Sequence, residues 1–222
     1  MRETTATQTI RTPSRFLAPG ALMLATLLFF VAGLIQLRAP GLMYDEAADA
    51  VPAMELLSGQ IPSVVRNINV LGRAIPIMQL DHIGPSSIYT SAIGFALFGV
   101  SVETLRVTQL CVGWIALLLL WLLARAWAGD RVAAIAVLCC ATAPVFVWWS
   151  RAGANWTVPL LPLALGMLLA LTRWWRTGAA WALALAALLL GAGVVTKILF
   201  VWLLAPLFAV AVIHNGRLLP RL

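Results

Sequence analysis

The sequence predicts an all-α integral membrane protein with about six transmembrane helices and two interfacial helices in a large first outer loop. Hydrophobic residues make up 62% of the 222 residues and charged residues 10%, whereas soluble domains are about 45–50% apolar and about 25% charged. The net charge of +7 comes from single basic residues between apolar runs, without the basic stripe of a nucleic-acid-binding protein. We therefore expect a lipid bilayer as partner and no nucleic acid.

A polar leader over residues 1–15 is expected to be disordered and cytoplasmic, and the apolar run Ala21–Leu37 follows it. A signal peptide has a shorter apolar core, about 7–15 residues, and small residues at its cleavage site. Arg38 and Pro40 stand there in this chain. The run is therefore predicted to be the first span of a membrane module that covers residues 16–222.

Residues 39–103 are predicted to form the large outer loop. Apolar residues recur at steps of three and four between Ala47 and Leu57, which predicts an amphipathic helix. The apolar run Ser86–Phe98 is shorter than the about 20 residues that a span needs, so we expect a second interfacial helix there. Arg66 and Arg73 lie in the loop between the two helices.

Five further spans are predicted downstream, at about residues 105–123, 132–149, 156–171, 179–195 and 198–213. If Ser86–Phe98 does not cross, nine basic residues face the cytoplasm and six face outside; if it crosses, the numbers are reversed. Because cytoplasmic loops are rich in Lys and Arg, this count favours the interfacial helix, a cytoplasmic N-terminus and an outer loop outside the cytoplasmic membrane. The six outside residues are then Arg38, Arg66, Arg73, Arg106, Arg151 and Lys197.

Two adjacent carboxylates, Asp45 and Glu46, follow the first span. In an enzyme one of them would act as general base on an acceptor hydroxyl, while its neighbour would orient it or hold a metal. The alternative is a structural role at the start of a helix, where Asp is a good cap and Glu suits the first turn. The spacing alone leaves both interpretations open.

Basic residues on the same predicted face could bind a leaving phosphate, although single interfacial arginines are common in any membrane protein. The candidates are Arg66, Arg73, Arg151 and Lys197. Lys197 is the most informative because it separates two apolar runs. Tyr89 is either a headgroup-level anchor or a substrate contact. The three cysteines and two histidines form no spaced ligand set, so no metal site is predicted.

Several strings resemble the family 39 type of GT-C membrane glycosyltransferases, which includes relatives of protein O-mannosyltransferases and lipid A aminoarabinose transferases. They are YDEAADAVPAMELLSG, GPSSIYTSAIGFALFGVS with the following LRV, LLLLWLLARAWAGDRVAAIAVLCCATAPVFVWWSRAG and GAGVVTK. The resemblance covers about residues 20–213, and the Asp-Glu pair is its most specific part.

The resemblance implies transfer of a hexosyl or pentosyl group from a polyprenyl-phosphate carrier to a hydroxyl on a glycan, lipid or protein acceptor, with inversion. It implies Asp45 as the general base and Glu46 as support for acceptor or metal binding. Arg66, Arg73, Arg151 or Lys197 would bind the carrier phosphate. The cofactor stays unknown, with a divalent cation as one option.

Members of this family are usually more than twice as long, so the chain is expected to be the N-terminal portion of such an enzyme. The alternative function is a non-catalytic membrane scaffold or a protein that binds the lipid carrier.

Overall fold

The structure is a computed structural model that describes residues 17–152 and 157–209. Its elements are α1 (Leu17–Leu34), α2 (Tyr44–Leu57), β1 (Arg66–Val70), β2 (Arg73–Met78), α3 (Ser86–Phe98), α4 (Val102–Thr142), α5 (Pro144–Ala152), α6 (Thr157–Thr177), α7 (Ala180–Thr196) and a 3-10 helix (Ile198–Leu203). The predicted leader and the end of the last predicted span lie outside the described residues.

The prediction of an all-α fold is wrong in the outer loop, where β1 and β2 form an antiparallel hairpin. Ile68 lies opposite Ile75, and Val70 lies opposite Arg73. The two residues that connect the strands, Leu71 and Gly72, have φ angles of 53° and 80°. Positive φ at both positions gives a tight turn whose twist matches that of the strands. The hairpin therefore replaces the loop that we expected between α2 and α3.

The helix α4 reverses direction at Gly129, whose φ of 82° and ψ of −179° are not helical. Leu117, before Gly129, and Val137, after it, belong to one buried cluster with Phe29 of α1. Only a chain that folds back on itself can bring these positions together, so α4 is a helical hairpin. This reversal lies between the predicted spans at residues 105–123 and 132–149, where a connection is expected.

Two apolar clusters build the helix bundle. The first joins α1, both segments of α4 and α5. The second joins α6, α7 and the 3-10 helix. Small residues allow close approach in the first cluster: a Cβ on Gly113 would lie 2.5 Å from the Ser150 hydroxyl. Small residues at helix contacts are typical of membrane bundles, where packing replaces the hydrophobic drive.

Within the described residues, one stretch is long and apolar enough to cross a membrane by length and composition: α4, counted as a whole across its reversal at Gly129. The apolar segments in α1 and α7 and at residues 198–209 are shorter. The predicted span at residues 132–149 is divided by Pro144 between the end of α4 and α5. Six spans therefore stay a prediction, as does the interfacial position of α3, whereas its bounds, Ser86–Phe98, are those predicted.

The segment between the hairpin and α3 docks onto the end of α7. Ile83 forms an antiparallel bridge with Lys197, and the Gly84 amide donates to the Thr196 carbonyl at 2.9 Å. A Cβ on Gly84 would lie 1.9 Å from the Val195 carbonyl oxygen, so only glycine permits this approach. The outer loop and the end of α7 therefore lie at the same end of the bundle.

Candidate functional site

Helix α2 begins with the acidic pair, and Glu46 is its buried member, with 1% of its surface exposed. Glu46 occupies the third helical position, and its Oε2 accepts a hydrogen bond from the Met43 amide at 2.8 Å. This contact satisfies an amide that precedes the first helical hydrogen bond, as in a capping box. The predicted structural role at the helix start is therefore present.

The rest of the Glu46 carboxylate is bound by Arg106, which lies one turn into α4. The Arg106 Nε donates to Oε1 at 2.7 Å, and Nη2 donates to Oε2 at 2.8 Å. Both side chains are buried. A two-pronged arginine–carboxylate pair of this kind combines charge with fixed geometry. Glu46 thus has both oxygens engaged, and its geometry fits positioning of α2 rather than contact with an acceptor.

Arg106 also binds the turn that leads from α1 to α2. Its Nη1 donates to the Leu37 carbonyl at 2.6 Å, and Nη2 donates to the carbonyls of Pro40 and Gly41 at 3.0 and 3.1 Å. An arginine inside an apolar helix is costly unless it is fully paired. This residue is paired at every nitrogen, so it joins α1, α2 and α4 at one point.

Arg151, at the end of α5, binds the same turn. It donates to the carbonyls of Ile35 and Gln36 at 3.0 and 2.6 Å, and it also contacts the Ala39 carbonyl. These carbonyls follow the end of α1, where a cation is favourable. The guanidinium is partly exposed but is committed to the protein backbone, which disfavours the predicted contact with a carrier phosphate.

Asp45 is the partly exposed member of the pair. It lies next to the anchored Glu46 in the first turn of α2. Because Glu46 and Arg106 fix this turn, Asp45 is held near the end of α1, with part of its surface accessible. This arrangement suits a carboxylate that must meet a substrate.

A third carboxylate, Asp49, lies one turn after Asp45 and is 1% exposed. The amide of Gln79, which follows β2, donates to Asp49 Oδ1 at 2.7 Å and to the Ala48 carbonyl at 3.0 Å. The Ala48 carbonyl is free to accept because Pro52, four residues later, has no N–H. We call this pair of acceptors, the Ala48 carbonyl and the Asp49 carboxyl, the Gln79 socket.

The second oxygen of Asp49 has no hydrogen-bond partner among the described residues, and the Ser91 hydroxyl on α3 is likewise unpaired there. Burial raises the pKa of Asp49 to about 7, against the opposing effects of Gln79 and Ser87, and Asp45 raises it further. A buried carboxyl without a cationic partner favours its neutral form. Asp49 is thus a proton-bearing group near neutral pH.

The structure brings Lys197 to the same end of the molecule through its bridge with Ile83. Gln79 and Ile83 are joined by their backbones, since the backbone N–H of Gln79 donates to the Ile83 carbonyl at 2.9 Å. A continuous run of backbone and side-chain contacts therefore leads from α2 through Gln79 to Lys197.

The hairpin carries the other predicted basic residues. Arg66 and Arg73 are exposed and lie at opposite ends of the hairpin, so the structure does not bring them together. The Tyr89 hydroxyl donates to the Pro76 carbonyl at 2.6 Å. Tyr89 therefore holds the hairpin on α3, a role that neither of our two interpretations included.

No three acidic, histidine or cysteine side chains form a cluster suited to a metal ion in the part of the chain that the structure describes.

The sequence reasoning counted Arg106 only as an outside charge and did not select Asp49 or Gln79. For Arg106 a signal existed, because an ionisable residue within an apolar run calls for a partner. For Asp49 the signal was its spacing of four from Asp45. Gln79 carried no local signal, since its role depends on contacts with residues about thirty positions away.

Comparison with known proteins gives two matches. Residues 82–221, 140 of the 222, match the family model of dolichyl-phosphate-mannose-protein mannosyltransferases. The apo crystal structure of the Archaeoglobus fulgidus oligosaccharyltransferase matches with a TM-score of 0.57 and 18% identity over 82% of this chain. The chain spans 24% of the length of that structure, and at this identity the likeness shows the fold alone. No curated protein matches the chain.

Proposed function

Since the chain belongs to the dolichyl-phosphate-mannose-protein mannosyltransferase family, a family of GT-C glycosyltransferases, we propose that it transfers a hexosyl or pentosyl group from a polyprenyl-phosphate carrier. The acceptor is a hydroxyl on a glycan, lipid or protein at the outer face of the cytoplasmic membrane. The observation that carries this proposal is the anchored first turn of α2, which keeps Asp45 accessible beside the buried Glu46–Arg106 pair.

In this mechanism the Asp45 carboxylate takes the proton of the acceptor hydroxyl. The acceptor oxygen attacks the anomeric carbon on the face opposite the phosphate, so the new glycosidic bond forms with inverted configuration. The bond between the sugar and the phosphate oxygen breaks, and the polyprenyl phosphate leaves with the electron pair. A cation near the phosphate stabilises the charge that develops there.

Lys197 is our preferred phosphate contact, because the bridge to Ile83 keeps it at the same end of the bundle as α2. Arg66 and Arg73 stay candidates on an exposed hairpin, whereas Arg151 and Tyr89 already bind backbone carbonyls. Glu46 acts by positioning α2. A divalent cation stays open as a cofactor.

The test uses the full-length protein in membranes, with a polyprenyl-phosphate-mannose donor and a threonine-containing peptide as acceptor. Asp45→Asn should lower turnover at least about 100-fold, because a general base contributes about 10²–10⁴-fold. Asp81→Asn, an exposed aspartate in the same loop, is the matched control and should transfer normally. Full activity of Asp45→Asn would reject the proposal and favour the non-catalytic scaffold or carrier-binding protein.

A second variant tests the phosphate contact. Lys197→Ala should raise the donor KM about ten-fold or more, since a hydrogen bond to a charged group contributes about 1.5–3 kcal/mol. An unchanged KM would remove Lys197 from the donor site while leaving the role of Asp45 intact.

A further inference from the structure

We propose that Asp49 and Gln79 are positioning residues. They fix the position of the first turn of α2, which carries Asp45, relative to the backbone bridge between Ile83 and Lys197. This inference rests on the proposed function for its meaning in catalysis, but its structural part is measurable without any activity.

The geometry of the Gln79 socket supports a dedicated role. The two N–H groups of one amide reach two acceptors on consecutive residues of α2, at 3.0 and 2.7 Å. One acceptor exists because Pro52 removes the helical donor to Ala48, and the other is the Asp49 side chain. Gln79 is 4% exposed, so water does not compete at this contact.

The contact is transmitted to Lys197 by the backbone. The backbone N–H of Gln79 donates a hydrogen bond to the Ile83 carbonyl, and Ile83 forms a β-bridge with Lys197. On either side of that bridge, the Gly84 amide donates to Thr196 and the Ile198 amide donates to His82. A shift of Gln79 in its socket would therefore move the segment on which Lys197 is aligned.

The chemistry of the socket favours a neutral Asp49. Among the described residues no cation acts on the Asp49 carboxyl, because Arg106 is already bound to Glu46. The other titratable groups on the elements around the socket are Tyr44, Asp45, Glu46 and Glu55 on α2, Tyr89 on α3, Glu103 and Arg106 at the start of α4, Arg66 and Arg73 on the hairpin, Asp81 and His82 after it, and Lys197 after α7. Among these, Asp45 is the charge that acts on Asp49, and it opposes ionisation.

The experiment measures hydrogen–deuterium exchange at the amides of Gly84 and Ile198 in the full-length protein in detergent. Asp49→Ala should speed exchange at both amides about ten-fold, because the socket loses one acceptor, whereas Asp49→Asn keeps a neutral acceptor and should retain the wild-type rate. Gln79→Met removes both donors at similar length and should match Asp49→Ala. It keeps the test valid if Asp49→Ala does not fold.

The pH dependence separates positioning by a neutral acid from a general structural role. After correction for intrinsic exchange, the wild-type rate at these amides should rise between pH 6 and pH 8 as Asp49 loses its proton, and the Asp49→Asn rate should stay flat. His82→Gln is the control for the nearby imidazole and should behave as wild type.

The donor KM provides the functional readout. Asp49→Ala should raise it about ten-fold with a smaller change in kcat, and Asp49→Asn should restore it. Wild-type exchange rates in both Asp49→Ala and Gln79→Met would overturn the positioning role, and fast exchange in Asp49→Asn would overturn the neutral acid. At about pH 5, where Asp49 keeps its proton because burial raises its pKa to about 7, Asp45→Asn should leave exchange unchanged, so failure of the proposed function is visible separately.

Discussion

Helix α2 buries two carboxyl groups, Glu46 and Asp49, three residues apart. Burial of a carboxylate costs free energy, and the two residues offset that cost in different ways. Both oxygens of Glu46 are engaged, because Arg106 binds the two of them and the Met43 amide binds one. Asp49 has an amide partner and one unpaired oxygen, and its pKa rises to about 7. The Glu46–Arg106 pair is therefore a charged anchor, whereas the stability of the Asp49–Gln79 contact is expected to depend on pH.

The largest effect is expected from breaking the charged anchor. Arg106→Met should lower the free energy of unfolding by about 3–5 kcal/mol, because it leaves the buried Glu46 carboxylate without its partner. Thermal or denaturant unfolding in detergent measures this. The double variant Arg106→Met with Glu46→Gln removes the stranded charge and should recover part of the loss. Absence of recovery would mean that Arg106 acts mainly through its backbone contacts.

A smaller effect is expected where the loop docks onto α7. Gly84→Ala places a Cβ against the Val195 carbonyl and should cost about 1–3 kcal/mol through overpacking. Gly191→Ala, within α7, is the control, since its Cβ meets nothing within 4 Å and its φ is not positive. If both variants lose equal stability, close packing against Val195 does not explain the effect of Gly84→Ala.

The pH dependence tests the Asp49–Gln79 contact. Because burial raises the pKa of Asp49 from 3.8 to about 7, the folded state holds a proton that the unfolded state releases. The stabilisation from this group is fully present below about pH 4 and is lost as pH rises through about 7. Between pH 6 and pH 8 the loss should be about 1.4 kcal/mol.

Unfolding curves at several pH values provide the measurement. Asp49→Asn should abolish this component, whereas Glu46→Gln should leave it in place. A wild-type slope that survives in Asp49→Asn would assign the pH dependence to another group.

The smallest effect concerns the hairpin. Tyr89→Phe removes the hydroxyl that donates to Pro76 and should lower stability by about 1 kcal/mol, with the hairpin amides exchanging faster. Thr90→Val, on the same helix, removes a hydroxyl that bonds within α3 and should leave hairpin exchange unchanged. Equal exchange in both variants would show that packing alone holds the hairpin.

Periodicity predicted the elements whose signals are local. The bounds of α3 agree with the apolar run Ser86–Phe98, and the turn at Gly129 follows from the polar residues around it. The hairpin was missed because Pro76 and the isolated asparagines interrupt the alternation that marks a strand. Local patterns therefore predicted most helices and failed for the one sheet.

The site was predictable only as a set of candidates. The pair Asp45-Glu46 was selected from its position in the sequence. Which of the two is buried and paired depends on Arg106, sixty positions away from Glu46. Arg151 and Tyr89 have the side chains that a phosphate or sugar site needs, yet the fold uses both for backbone carbonyls. The residue type limits which groups a side chain can bind, but its actual partner depends on the tertiary structure.

The bridge between Ile83 and Lys197 has a consequence for biosynthesis. The two residues are 114 positions apart in the sequence (197 − 83), so the outer loop cannot reach its final form until α7 has left the ribosome. At about 5–20 residues per second this delay is about 6–23 s. During that interval the Gly84 amide and the His82 carbonyl lack the backbone partners that residues 196 and 198 later provide.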